Sequence, residues 1–206
     1  MQKPLFWDQA KIELIKKDKK LGKIIESYPS DFLFSKADPF YTLARSIVGQ
    51  QISVKAAHII WTRVEKKVIK ITPNVFLNIH HMSLKSCGLS RQKISYLKSL
   101  SKAFISKDIS PSNWQKLTDD EIINQLTEIR GIGRWTAEMF LIFNLSRPDV
   151  FPVDDLGLIK GICKCYELNY PISKDHAIKL SKKWKPWRSV ATWYFWRSLD
   201  PIPVEY

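Results

Sequence analysis

Cysteine is scarce in this sequence: Cys87, Cys163 and Cys165 are the only three in 206 residues, and no two form a CxxC pair. That count excludes a disulfide framework and argues against a zinc site or an iron–sulfur cluster held by four cysteines; it fits a reducing compartment. No apolar run approaches the length of a membrane span. The opening stretch MQKPLFWDQAKIELIKKDKK lacks the apolar core and small-residue cleavage site of a signal peptide. The expectation is a cytoplasmic protein, nucleoid-associated if the source is prokaryotic. Paired alternating segments are missing as well. Only Val68-Ile69-Lys70-Ile71 passes for a strand, and a lone strand is poor support for a sheet. Acidic residues are few, 20 against 33 Lys and Arg, for a net charge of +13. Such an excess is the usual electrostatic footprint of a nucleic-acid binder, because phosphate neutralisation releases counterions; a solvated basic surface fits the same number.

What is present is helical patterning. A hydrophobic content of 45% can furnish one large core or two small lobes. Ile12, Ile15, Leu21, Ile24 and Ile25 keep helical spacing over residues 8–28. Asp38-Pro39 is a capped helix start, with Phe40, Leu43, Ile47 and Val48 on one face running into Gly49-Gln50-Gln51. Ser53 caps a second helix that reaches Lys67. Pro73 opens a short one, and Ile94, Leu97, Leu100 and Phe104 mark another over 92–104. Thr118 and Glu121 have capping-box spacing ahead of Ile122, Ile123 and Leu126. Further helices are expected from about Trp135 to Asn144, from the acidic pair to about Tyr166, over 173–184 and over 187–199. The fold class is all-α.

Two features stand close together between Gln125 and Leu158. Gly131-Ile132-Gly133 forms a hairpin between helical segments. Its glycines permit positive φ and close backbone approach, and the start of the second helix offers amides to an anion. Arg130 and Arg134 flank it. An ordinary helical hairpin with a glycine cap fits the same residues. Downstream, past Pro148 and Pro152, Asp154 and Asp155 form a carboxylate pair bounded by Val153 and Leu156; helix capping is the plainer role for either. A phosphate-gripping turn followed by a carboxylate suggests an enzyme acting on nucleic acid.

Four segments, in order, carry a wider resemblance: Gly49-Gln-Gln-Ile-Ser53, Gly131-Ile-Gly-Arg-Trp-Thr-Ala137, Asp149-Val-Phe-Pro-Val-Asp-Asp155 and Trp184-Lys-Pro-Trp-Arg188. They span most of the chain from about residue 38. The sequence resembles the helix–hairpin–helix (HhH-GPD) DNA glycosylase superfamily, and within it the 3-methyladenine DNA glycosylase II branch. The resemblance implies two helical lobes, one of residues 37–147, the other of 1–36 with 148–206 and carrying the catalytic Asp at the cleft. The larger members of that branch carry an N-terminal β domain; this chain is short and its first 36 residues read helical, so that domain is expected to be missing, and three cysteines argue against an iron–sulfur cluster.

The resemblance also implies site residues. Asp155 is the catalytic carboxylate, with Asp154 the second choice, since the family's Asp begins a helix with an apolar residue three positions on, here Leu158. Bifunctional members carry a Schiff-base Lys two residues after the second hairpin glycine. Trp135 stands there, which implies a monofunctional, hydrolytic enzyme. Trp135, Trp196 and Met139 are the expected base pocket, suited by stacking to a cationic alkylated purine. Arg130, Gly131, Ile132, Gly133, Arg134 and Thr136 are expected on DNA, with Gln50 and Gln51 as the turn that fills the gap left by a flipped nucleotide. No cofactor is required. The backbone carbonyls of Thr127, Ile129 and Ile132 match those that hold a structural monovalent cation, sodium or potassium, in relatives. The partner is double-stranded DNA with a damaged base, the protein a monomer and membranes no part of its function. The competing readings are a non-catalytic helix–hairpin–helix DNA-binding module and a glycosylase for oxidised or mismatched bases.

Overall fold

A computed structural model describes residues 3–35 and 38–200. In chain order the helices are α1 (Trp7–Lys17), α2 (Lys19–Ser27), α3 (Pro39–Gly49), α4 (Val54–Lys67), α5 (Pro73–Asn78), α6 (His81–Ser86), α7 (Arg91–Ser106), α8 (Asp119–Thr127), α9 (Arg134–Phe143), α10 (Leu156–Tyr166), α11 (Lys174–Ser181) and α12 (Arg188–Arg197). Short 3₁₀ turns span Pro111–Lys116 and Lys182–Trp184. Among the described residues there is no β-sheet, and no helix is long and apolar enough to cross a membrane.

The starts of these helices follow from local chemistry. Asp38 accepts the Tyr41 N–H at 2.9 Å with Pro39 in the first turn. Ser53 caps α4. Thr118 and Glu121 close both halves of a capping box on α8. Val68 ends α4 as its C-cap and Ile69 is fully exposed, so the strand-like run builds no ladder. The helix expected over 173–184 is broken by the second 3₁₀ turn.

The chain divides into two compact units, Met1–Lys36 with Leu141–Glu205, and Ala37–Phe140. The positions at the first boundary, 36 and 37, lie outside the described residues. The second boundary falls inside α9, ahead of the expected 147. The last turn of α9 groups with the first unit because Phe143 stacks on Trp196 at 5.8 Å and Leu141 accepts the Arg147 N–H.

In the unit around Ala37–Phe140, α3 packs on α4 and α7, and α5 on α7. Phe40 meets Phe76 and Phe104 edge-on, and Trp61 donates to the Tyr41 hydroxyl at 2.9 Å. In the other unit α1, α2, α10 and α12 share a core. Trp7 packs against Trp193 and Tyr194. Gly161 lets α10 lie directly on α12: a Cβ there would stand 2.8 Å from the Phe195 carbonyl oxygen. Most of the eight tryptophans thus go into the cores.

One buried polar network holds the second of these cores. Asp18 caps α2 through the amides of Lys20 and Leu21, and also accepts from the Tyr166 hydroxyl, Trp184 Nε1 at 2.8 Å and Lys183 Nζ at 2.9 Å. Burial works to raise the Asp18 pKa, but these hydrogen bonds outweigh it and hold the carboxyl below its ordinary 3.8. A depressed carboxyl contributes stability in full above the unfolded value, near pH 4, and loses it as pH falls through the lower folded value. Asp18→Ala, which strands the buried donors, is expected to cost about 3 kcal/mol at pH 7. Its deficit relative to wild type should shrink at pH 3. Urea unfolding at both pH values checks this, and an equal deficit at both would contradict it.

Candidate active site

Asp155 begins α10. Its Oδ1 accepts the Leu158 N–H at 2.6 Å, as an N-cap does, and the Trp196 indole N–H at 2.8 Å. Leu158 and Trp196 are buried, so both donors are fixed by packing. Gly157 keeps the approach narrow: a Cβ there would lie 3.1 Å from Asp155 Oδ1 and 3.3 Å from the Trp196 ring. The carboxylate is half-buried, beside an exposed Leu156. Asp154 differs in every respect. It is exposed and ion-paired to Lys174. Of the two aspartates, only Asp155 has its orientation set by buried groups.

The connection that delivers Asp155 is itself tied down. Arg188 grips Asp149 through two parallel hydrogen bonds of 2.7 and 2.9 Å, and the same guanidinium reaches the Asp149 carbonyl. Ser189 donates to the Arg147 carbonyl and accepts the Val150 N–H. Asp155 N–H then turns onto the Pro152 carbonyl at 2.9 Å. The Asp149 and Arg188 segments were visible in the sequence, but nothing in either signalled that they pair.

In the other unit, residues 128–133 join α8 to α9. Gly131 has φ +97°, and a Cβ on it would fall 2.1–2.5 Å from Tyr96. Gly133 faces open space, with nothing within 4 Å of an added Cβ. Ala137 N–H closes the first turn of α9 onto the Gly133 carbonyl, so the amides ahead of it are those a helix start does not satisfy internally. Arg130 is exposed; Arg134 is largely exposed while bonded to Glu138.

Several expected contacts are corrected here. The Ile132 amide is spent on the Ile129 carbonyl at 3.0 Å, and its side chain is buried. Thr136 is 1% exposed and its hydroxyl receives the Gln50 amide at 2.9 Å, so its side chain is turned into the protein. Gln50 donates to the Gly131 carbonyl as well, which turns its side chain inward. Gln51, exposed and at φ +57°, is the outward member of that pair. Of the expected pocket residues, Trp135 is half-buried, Met139 is 1% exposed and Trp196 is 6% exposed. Met139 is taken up by core packing, and Trp196 by Asp155 and Phe143. Among the described residues no group of three His, Cys, Asp or Glu could hold a metal ion.

The family model of the HhH-GPD superfamily base excision DNA repair proteins matches residues 44–186. The chain belongs to the HhH-GPD superfamily. Its similarity lies with the 3-methyladenine branch. DNA-3-methyladenine glycosylase 1 of Schizosaccharomyces pombe is 35% identical over 184 residues, 87% of this chain and 81% of that protein. The fission-yeast 3-methyladenine DNA glycosylase solved in complex with abasic DNA matches with a TM-score of 0.84 at 35% identity, covering 92% of this chain and 96% of that one. A DNA-3-methyladenine glycosidase from Bacillus halodurans matches at 0.76 and 32% identity, over 96% and 92% of the two chains. Within this HhH-GPD chain, two further residues on α7 bear on the hairpin and escaped sequence reasoning. Tyr96 fills the space beneath Gly131, and Lys93 donates to the carbonyls of Val48 and Gln50.

Proposed function

We propose that this chain is a monofunctional DNA glycosylase of base excision repair. It hydrolyses the N-glycosidic bond of alkylated bases of the 3-methyladenine and 7-methylguanine type and leaves an abasic site. The observation that carries this reading is the geometry of Asp155: a helix-capping carboxylate whose direction is set by two buried N–H donors. Bond cleavage develops positive charge on the deoxyribose, and a pre-oriented carboxylate stabilises that charge without reorganising. Water then adds to the sugar carbon as the base departs. Trp135 stands where a Schiff-base lysine would, so no amine is offered there for strand cleavage.

The hairpin supplies position. Its exposed arginine, the open face of Gly133 and the start of α9 suit a DNA phosphate, which fixes register without reading sequence. Gln51 is the residue we assign to fill the gap left by the flipped base. The half-buried Trp135 ring is the surface we assign to stacking on a cationic base. The carbonyls of Thr127, Ile129 and Ile132 would hold a monovalent cation, the Ile129 oxygen using the lone pair left by its bond to Ile132. A purely DNA-binding hairpin would account for the helix cap at Asp155 but not for the second bond, from the Trp196 indole, that fixes the carboxylate.

The test is direct. Duplex DNA treated with a methylating agent and incubated with the protein is expected to release 3-methyladenine and 7-methylguanine, resolved by chromatography. Release no greater than in a protein-free control would overturn the reading.

A further inference from the structure

Lys93 spends its charge on the backbone, on two carbonyls at once. It is half-buried, near the start of α7, and its ammonium donates to the carbonyls of Val48 at 2.6 Å and Gln50 at 2.8 Å. Those are among the carbonyls that the end of α3 leaves unsatisfied, where a cation is also favoured by the helix dipole. Burial pushes the Lys93 pKa down, because the ammonium is partly withdrawn from water. The next residue, Gln51, stands at φ +57°, a backbone conformation that side-chain-bearing residues seldom adopt unless their surroundings impose it.

The imposition comes from two sides. Lys93 holds the Gln50 carbonyl, and the Gln50 side chain is fastened to the Gly131 carbonyl and the Thr136 hydroxyl, each at 2.9 Å. Three residues further along α7, Tyr96 occupies the space under Gly131. One face of α7 therefore supports both the glycine hairpin and the Gln50–Gln51 turn.

Resting on the DNA-glycosylase reading, we infer that Lys93 is a positioning residue for DNA probing: it locks the end of α3 so that Gln51 projects outward in register with the hairpin. Its charge serves the backbone and not a phosphate.

Three measurements separate this inference from its competitors. The first uses a duplex with an uncleavable abasic analogue beside 2-aminopurine, whose fluorescence rises when a side chain intrudes and unstacks it. Wild type is expected to raise the signal, Lys93→Met to lose most of the rise, and Lys93→Arg, which keeps donors at that place, to recover part of it. The second is the salt dependence of affinity for undamaged duplex. A phosphate-contacting lysine contributes about 0.9 to the slope of log affinity against log salt, whereas Lys93→Met is expected to leave the slope unchanged. The third is base release from methylated DNA, expected to fall roughly ten- to hundredfold in Lys93→Met and to fall little further when that change is added to Gln51→Ala.

A reduced salt slope, a wild-type fluorescence rise in Lys93→Met, or additive losses in the double variant would each overturn the inference. If wild type releases no base, the glycosylase reading fails while the fluorescence comparison still decides the role of Lys93. Should Lys93→Met not fold, Lys93→Gln is read in the same three measurements.

Discussion

Asp155→Asn is expected to lower base release from methylated DNA by about a thousandfold or more, with little change in stability or in affinity for an abasic-site duplex. The separation follows from geometry. An Asn oxygen at the Oδ1 position still accepts from Leu158 N–H and Trp196 Nε1, and Asn is as good an N-cap as Asp. The helix start and the indole therefore keep their partner, and the stability change stays within about 1 kcal/mol. What disappears is the negative charge, and with it the stabilisation of the cationic sugar. Asp154→Asn is the matched control. That carboxylate is exposed and paired to Lys174, so its loss is expected to alter release by no more than about twofold. Equal losses in the two variants would remove Asp155 from its assigned place.

Gly131→Ala is the second substitution with a large expected effect. The backbone there is at φ +97°, and an added Cβ would lie 2.1 Å from Tyr96 Cγ and 2.5 Å from Tyr96 Cβ. Those atoms sit at the root of the ring, so a rotamer change cannot relieve the overlap, and the hairpin or α7 must move. Overpacking and positive-φ strain together amount to about 3 kcal/mol. The Gly131 carbonyl would shift with them and loosen its bond from Gln50, so the hairpin and the Gln51 turn are disturbed together. Affinity for an abasic-site duplex should fall by at least about tenfold, read by fluorescence anisotropy, alongside a lowered midpoint in urea. Gly133→Ala makes the contrast. It has open space around it and no positive φ, so its stability should move by less than about 1 kcal/mol. Any loss of affinity there reports the closeness of a phosphate to the backbone.

The hairpin was legible in the sequence because its requirement is local: a turn between two helices that needs glycine at a positive φ writes Gly131 into the chain. The Thr118–Glu121 capping box is local in the same sense, whereas the choice of Asp155 over Asp154 rests on the family resemblance, helix capping being open to either from the sequence. The helices themselves were readable from apolar spacing, except where capping and turn chemistry divided them, as at Ser181–Lys182. What was not legible is side-chain contact between distant segments. Gln50 and Gln51 are the same residue type in adjacent positions, yet one turns inward to Gly131 and the other outward, a choice made by residues some 80 positions away. Lys93 is one lysine among many until α3 and α7 bring it to the Val48 carbonyl, 45 residues away. Trp196 read as a pocket aromatic from the family's pattern. Its burial and its bond to Asp155 make it an orienting group for the carboxylate.

Hydrolytic removal of alkylated bases is decided by a single-turnover reaction on a methylated duplex, scored for three products at once. The expected products are free alkylated base and an equal amount of abasic site in an unbroken strand, with no protein–DNA adduct on borohydride treatment. Intact substrate, or a nicked strand with a trapped adduct, would contradict it.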